Sequence, residues 1–205
     1  TALQKPNSAQ KEKMIVYKGF NEKVQATCGK GTFQYEVGKT YREEKSKTRS
    51  TGFHAAEYIL DCLQWYPVNG KNRFFQCEAG GSIDEENQCS MVVSTELTLV
   101  AELNLTEIAK AAMEYMIVHP KREWVAVHGG VCVKKDQAQA AGQDKIAIAR
   151  GIHPEVWGDL GARIGMIVED EKGRPVAAGL KIVDGSKIKA FQKYTLTTER
   201  EWVEV

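Results

Sequence analysis

The chain has 205 residues, 42% of them hydrophobic and 27% charged, with a formal net charge of +1 at pH 7. That length suits one large or two small domains with a real core. The near-neutral balance argues against a dedicated nucleic-acid binder, which carries a strong basic excess. The longest apolar runs are too short to span a bilayer, and no charged leader with an apolar core is seen, so neither a membrane partner nor a secretion signal is expected.

Five cysteines (Cys28, Cys62, Cys77, Cys89, Cys132) are odd in number and never spaced as CxxC. A disulfide framework favours even counts and a zinc site favours paired spacing, so buried or partly buried free thiols in a reducing cytoplasm are expected. His119, His128 and His153 are scattered without ligand spacing, and no metal or other cofactor is expected. Walker, GxGxxG and GxSxG motifs are absent.

Residues 1–13 are polar and aperiodic and read as a flexible arm. A head domain is expected at 14–122. Met14-Ile15-Val16-Tyr17 reads as its first strand, and residues 32–37 alternate as a half-buried second one. Lys39, Arg42, Lys45, Lys47 and Arg49 make a solvated basic run, interrupted by Glu43 and Glu44, and are the candidate contacts for phosphate or an acidic partner. From Ala55 to Tyr66 the apolar residues recur at three- and four-residue steps until Pro67, which predicts a first main helix. Residues 73–79, ended by Gly80-Gly81, and 90–95 read as strands. Asn104 with Glu107 forms a capping pair that starts a second main helix through Ile117, ended by His119-Pro120.

After Trp124 a glycine falls every seven to ten residues among small side chains and β-formers, the pattern of short solenoid-like coils. Residues 166–169 are expected to pair with 175–183 through Lys172-Gly173. Asp184-Gly185 is expected as a second hairpin turn, and 194–197 pair with 201–205. The predicted class is therefore α+β: a mixed head with two main helices, then a β-rich segment at 123–205 with coils and a hairpin cap.

Tyr17-Lys18-Gly19-Phe20, then Phe33-Gln34-Tyr35-Glu36-Val37-Gly38-Lys39, then Thr51-Gly52-Phe53-His54-Ala55 resemble an uncharacterised domain family of bacteriophage and prophage proteins. In that family the domain is followed by a helix, a Gly/Ala-rich repeat array and a hairpin cap, and this chain keeps that order with a shortened array. The resemblance implies a phage or prophage setting, in the host bacterial cytoplasm or the virion. Tyr17-Lys18-Gly19 before Gly52-Phe53-His54 also loosely resembles an ADP-ribosyltransferase core, which would make Lys18, His54, Tyr58 and Glu78 the candidate catalytic set.

The expected function is a non-enzymatic protein-binding factor that inhibits a host defence system. Virion decoration and transferase chemistry are the alternatives. A short coil array also suits self-association, so a homo-oligomer is a further expectation.

Overall fold

The computed structural model describes residues 12–44, 51–85, 89–122 and 129–205. About half of the described residues are in strands and 11% are helical. That overturns the α+β expectation with two main helices: the fold is mostly β. The arm lies almost wholly outside the described residues.

The first half carries β1 (Met14–Phe20), β2 (Gln25–Ala26), β3 (Phe33–Gln34), β4 (Thr40–Arg42) and β5 (Phe53–Ala56). A 3-10 helix (Ile59–Gln64), β6 (Arg73–Glu85), β7 (Met91–Leu103) and α1 (Leu105–Val118) follow. The sheet order is β4-β7-β5-β1-β6, with β6 also paired to β7, so the pairings among β1, β5, β7 and β6 close on themselves. Alternation splits the side chains between two cores. Val16, Phe20, Phe53, Phe75, Cys77, Leu97 and Leu99 share one face. Ala56, Phe74 and Met91 lie on the other, against the 3-10 helix and α1.

The predicted first helix is replaced by a strand and a short 3-10 turn. Ala55 and Ala56 are good helix formers, yet here they pair with Val92 and Met91 and are buried on opposite faces of the sheet. Burial on both faces of the sheet thus outweighs their intrinsic helix propensity. Ile59, Leu60, Cys62 and Leu63 are all buried, which a two-turn 3-10 helix achieves by eclipsing positions three apart. Gly80-Gly81 does not end its strand either. The register shifts between Gly80 and Ile83, and Gly81 sits at φ 71, so β6 bends through a bulge and continues to Glu85. Of the expected strand at 32–37, only Phe33–Gln34 pairs.

Helix α1 begins as its sequence requires. The Asn104 side chain accepts from the Glu107 N–H at 2.9 Å, its Nδ2 donates to Glu107 Oε1 at 2.9 Å, and His119 caps the C-terminus. Its buried stripe of Ile108, Ala109, Ala112, Met113 and Met116 packs onto the second half of the chain.

That half holds β8 (Val131–Ala140), β9 (Ile146–Gly158), β10 (Arg163–Glu169), β11 (Pro175–Ile182), β12 (Tyr194–Leu196) and β13 (Trp202–Glu204). β8, β9 and β10 are parallel and successive, pairing Val131 with Ile146 and Ile146 with Arg163. The connections between them are too short for an ordinary crossover. They work because the strands bend, β8 through a register shift at Asp136, where φ is 66. In Ile146-Ala147-Ile148-Ala149 the isoleucines face α1 and the alanines face a third core with Val156, Tyr194 and Leu196.

The expected pairing of 166–169 with 175–183 is present as β10–β11, and β12–β13 form the terminal hairpin. Asp184-Gly185 is a turn closed by Gly185 N–H to the Ile188 carbonyl, but it joins no paired strands.

Candidate functional site

The four candidate catalytic residues do not converge. Lys18 shares a face of β1 with Val16 and Phe20, and its Nζ donates to the His54 main-chain carbonyl at 2.6 Å. The ammonium lies 5.8 and 5.9 Å from the Phe20 and Tyr35 ring centroids, and burial holds its pKa below the usual lysine value. Tyr17 pairs with Ala56 and with Gln76, so His54 and Glu78, each two residues away on its own strand, share the face opposite Lys18. Glu78 is 3.5 Å from Lys13 in an ion pair.

Tyr58 instead belongs to a polar cluster beside the 3-10 helix. Its N–H donates to Ser90 Oγ at 2.8 Å. Ser90 Oγ donates to Asp61 Oδ2 at 2.6 Å, and the Ser90 N–H donates to the same oxygen at 3.0 Å. Arg122 Nη2 meets both carboxylate oxygens at 2.9 and 2.8 Å. The guanidinium lies over the Tyr58 ring at 4.7 Å and the Tyr115 ring at 5.5 Å. Tyr58 stacks on Tyr115 at 4.7 Å, and Tyr115 stacks on His119 at 4.0 Å. Burial pushes the Tyr58 hydroxyl well above its ordinary pKa.

Three donors of the protein itself converge on the Asp61 carboxylate. Its geometry is that of a clasp joining the 3-10 helix, the residue before β7 and the segment that follows α1. A second pair lies close in the same core: Arg150, only 4% exposed, donates from Nε to Glu169 Oε1 at 2.6 Å and from Nη2 to the Pro120 carbonyl at 3.2 Å. Desolvation lowers the Arg150 pKa to about 10.

Glu57, on the border of this cluster, has its carboxyl pushed up, first by burial and then by Glu85. A folded-state pKa above the unfolded one means that its stabilising contribution is present at low pH and lost as pH rises through the folded value. Glu57→Gln should therefore stabilise the fold slightly at pH 7, by under about 0.5 kcal/mol. The gain should vanish below pH ~4, as read by denaturant titrations at both pH values.

In the basic run, Lys39 is held by Glu36 at 2.7 Å and Arg42 by Glu96 at 3.3 Å. Such exposed pairs contribute about 0–1 kcal/mol each. Lys45, Lys47 and Arg49 lie outside the described residues. All five cysteines are free, but Cys28 is exposed against expectation. Burial pushes Cys62 and Cys77 up to about 12, so both stay protonated thiols near neutral pH. Among the described residues no group of three or more His, Cys, Asp or Glu is placed to hold a metal ion. No described helix is long and apolar enough to cross a membrane.

Two concave or protruding features remain. An open groove of about 790 Å³ runs between Pro67, Asn69, Gly130, Cys132, Lys134 and Lys145. At the far end of β9, Leu160 and Phe191 are 68% and 62% exposed. Phe191 N–H donates to the Gly158 carbonyl at 2.9 Å, and a Leu160 methyl lies 3.0 Å from where a Cβ on Gly185 would be. Leu160 is thus on the turn that follows β9, and Phe191 is on the loop before β12, tied to the end of β9 through Gly158.

Residues 14–111 match a protein-family model. They form a DUF7666 domain, a domain of unknown function. No curated protein and no solved structure matches the chain. The DUF7666 domain takes in the closed sheet, Lys18, His54, Asp61 and the first half of α1. Arg122, Arg150 and the Leu160–Phe191 patch lie beyond it.

Nothing in the sequence singles out the Asp61 clasp. Its partners are 29 and 61 residues away, and an isolated Asp inside an apolar helical pattern is the only local sign. Phe191 could have been noticed as an aromatic residue in a lysine-rich turn segment.

Proposed function

We propose that this chain is a phage- or prophage-encoded protein-binding factor without catalytic activity. It works in the host bacterial cytoplasm by direct contact with a protein of a host defence system. The observation that carries this reading is Phe191, whose backbone is held at φ 60 while its side chain stands in water. A bulky residue in the left-handed region costs about 1–3 kcal/mol. A ring left mostly exposed returns little of that cost through burial, whereas a partner that takes in the ring returns more.

Leu160 supplies a second exposed apolar side chain on the neighbouring turn, and a well-packed anchor seated in a partner's pocket is what carries most interface energy. The phage setting rests on the likeness of the Tyr17-Lys18-Gly19-Phe20 and Gly52-Phe53-His54 segments to phage and prophage domains.

Affinity capture with the tagged full chain from infected cells tests the reading. The expected result is a host defence protein recovered in near-equal amount. Recovery of a capsid or tail protein, with the chain present at stoichiometric copy number in purified particles, would replace it with virion decoration. NAD consumption abolished by Glu78→Gln would replace it with transferase chemistry.

A further inference from the structure

The segment that carries Phe191, residues 181–193, holds Lys181, Lys187, Lys189 and Lys193 against a single acid, Asp184. That acid is exposed, and its Oδ1 accepts from the Ser186 and Ile188 N–H groups of its own loop at 2.8 and 3.0 Å. Lys189 is held by Glu204 at 2.7 Å. Lys181 and Lys193 lie over the Trp202 and Trp157 rings at 5.3 and 4.7 Å, contacts that leave their charge uncancelled, and Lys187 is exposed. Asp159, next to Leu160, accepts the Gly142 N–H at 2.9 Å. A local excess of positive charge therefore flanks two exposed apolar side chains, in a chain whose net charge is only +1.

The prongs are also rigidly mounted. Besides the Asp184 bonds, Lys189 N–H donates to the Tyr194 hydroxyl at 2.8 Å and Val205 N–H to the Lys193 carbonyl at 3.0 Å. Phe191 N–H is tied to Gly158. A fixed pair of side chains suits a fixed pocket, because the ordering entropy is already spent before docking. A fluid lipid surface has no use for such fixed geometry.

Resting on the protein-binding reading above, we infer that the docking surface is the Leu160–Phe191 patch, outside the DUF7666 domain, and that its partner is a folded protein with an apolar pocket rimmed by acidic side chains. The prongs supply the buried contact, and the lysines steer the encounter and fix its orientation. Lys187 and Lys193 act through charge, so their share of the affinity falls as salt rises.

The test uses the full chain as bait against the soluble proteins of a bacterial host lysate, with captured proteins identified by mass spectrometry. Four baits are compared: wild type, Phe191→Gly, Leu160→Ser and the Lys187→Glu/Lys193→Glu pair. Phe191→Gly removes the ring and relieves the left-handed backbone, so its melting temperature should equal or exceed that of the wild type. The inference requires that one acidic protein bind the wild type in near-equal amount. Retention should fall at least about tenfold with each prong variant, and with the charge reversal at low salt.

If that protein is retained equally by Phe191→Gly and Leu160→Ser, the docking surface lies elsewhere and this inference fails while protein binding stands. If the wild type retains no protein, both fail. Co-sedimentation of the wild type with phosphatidylglycerol vesicles, lost on Phe191→Gly, would assign the prongs to a membrane and overturn the inference. So would a wild-type dimer in sedimentation velocity that the same substitution dissociates.

Discussion

Gly130→Ala is expected to lower the unfolding free energy by about 3 kcal/mol or more, the largest loss expected from a single methyl group in this chain. Gly130 sits at φ 86, and a Cβ built there would run into the Val68 carbonyl oxygen. The strain alone costs about 1 kcal/mol. The clash is with backbone, which cannot swing aside like the tip of a side chain. Relief requires moving the 67–69 loop, which breaks the Val68 N–H bond to the Gly129 carbonyl at 2.8 Å, or moving Gly130 itself, which breaks the Lys145 N–H bond to its carbonyl at 2.7 Å.

The first bond joins the DUF7666 domain to the start of β8, and the second joins the start of β8 to the approach to β9. Hydrogen exchange at the Val68 and Lys145 amides should therefore accelerate beyond the global effect. Gly142→Ala is the control: φ is 63 but nothing lies within 4 Å, so only the strain of about 1 kcal/mol should appear. Equal losses at the two sites in denaturant unfolding would show that the contact with Val68 carries no special load.

Asp61→Ala is expected to cost about 3 kcal/mol. The substitution strips Arg122 of its carboxylate and leaves both Ser90 donors without their acceptor, at a site where the Asp61 side chain is 17% exposed and that of Arg122 31%. Most of the loss comes from desolvated donors left unmatched rather than from the net strength of the ion pair, which partial exposure keeps modest. Asp61→Asn keeps an acceptor for Ser90 and should lose about half as much. Near-UV circular dichroism should change as well, because the Tyr58–Tyr115 stack stands against the Arg122 guanidinium. A loss below about 1 kcal/mol with an unchanged spectrum would reduce the clasp to an ordinary surface pair.

The parts of the fold that were legible in the sequence are those whose causes lie within a few residues. Asn104 and Glu107 cap α1 because each reaches the other across one helical turn. The β10–β11 hairpin follows from Asp170, whose side chain accepts from the Lys172 and Arg174 N–H groups inside the turn. Ala55-Ala56 was misread as the start of a helix because its decisive contacts are with Met91 and Val92, more than thirty positions away. The bulge at Gly80-Gly81 was misread as a strand end for a similar reason: Gly81 is needed where β6 passes close to Thr95.

The site followed the same rule. Lys18, His54 and Glu78 look like one constellation along the chain, but strand alternation sends Lys18 to one face and the other two to the opposite face. Tyr58 is expected beside His54 and Glu78 in a catalytic set, yet it lies with Asp61, Ser90, Arg122 and Tyr115, which come from four separate stretches of the chain. No periodicity connects them.

By itself the sequence determined what short-range chemistry controls: the capped helix, the turns and the strands of the terminal hairpins, and it carries the match of residues 14–111 to a domain of unknown function. Only the tertiary structure decided that the first sheet closes on itself, that three parallel strands bend to lie beside one another, and that Phe191 stands strained and exposed beside Leu160. The physical reason is range. Capping and turn bonds act over three or four residues, while burial on both faces of a sheet, close backbone approach and polar clasps act between positions that meet only after the chain has folded.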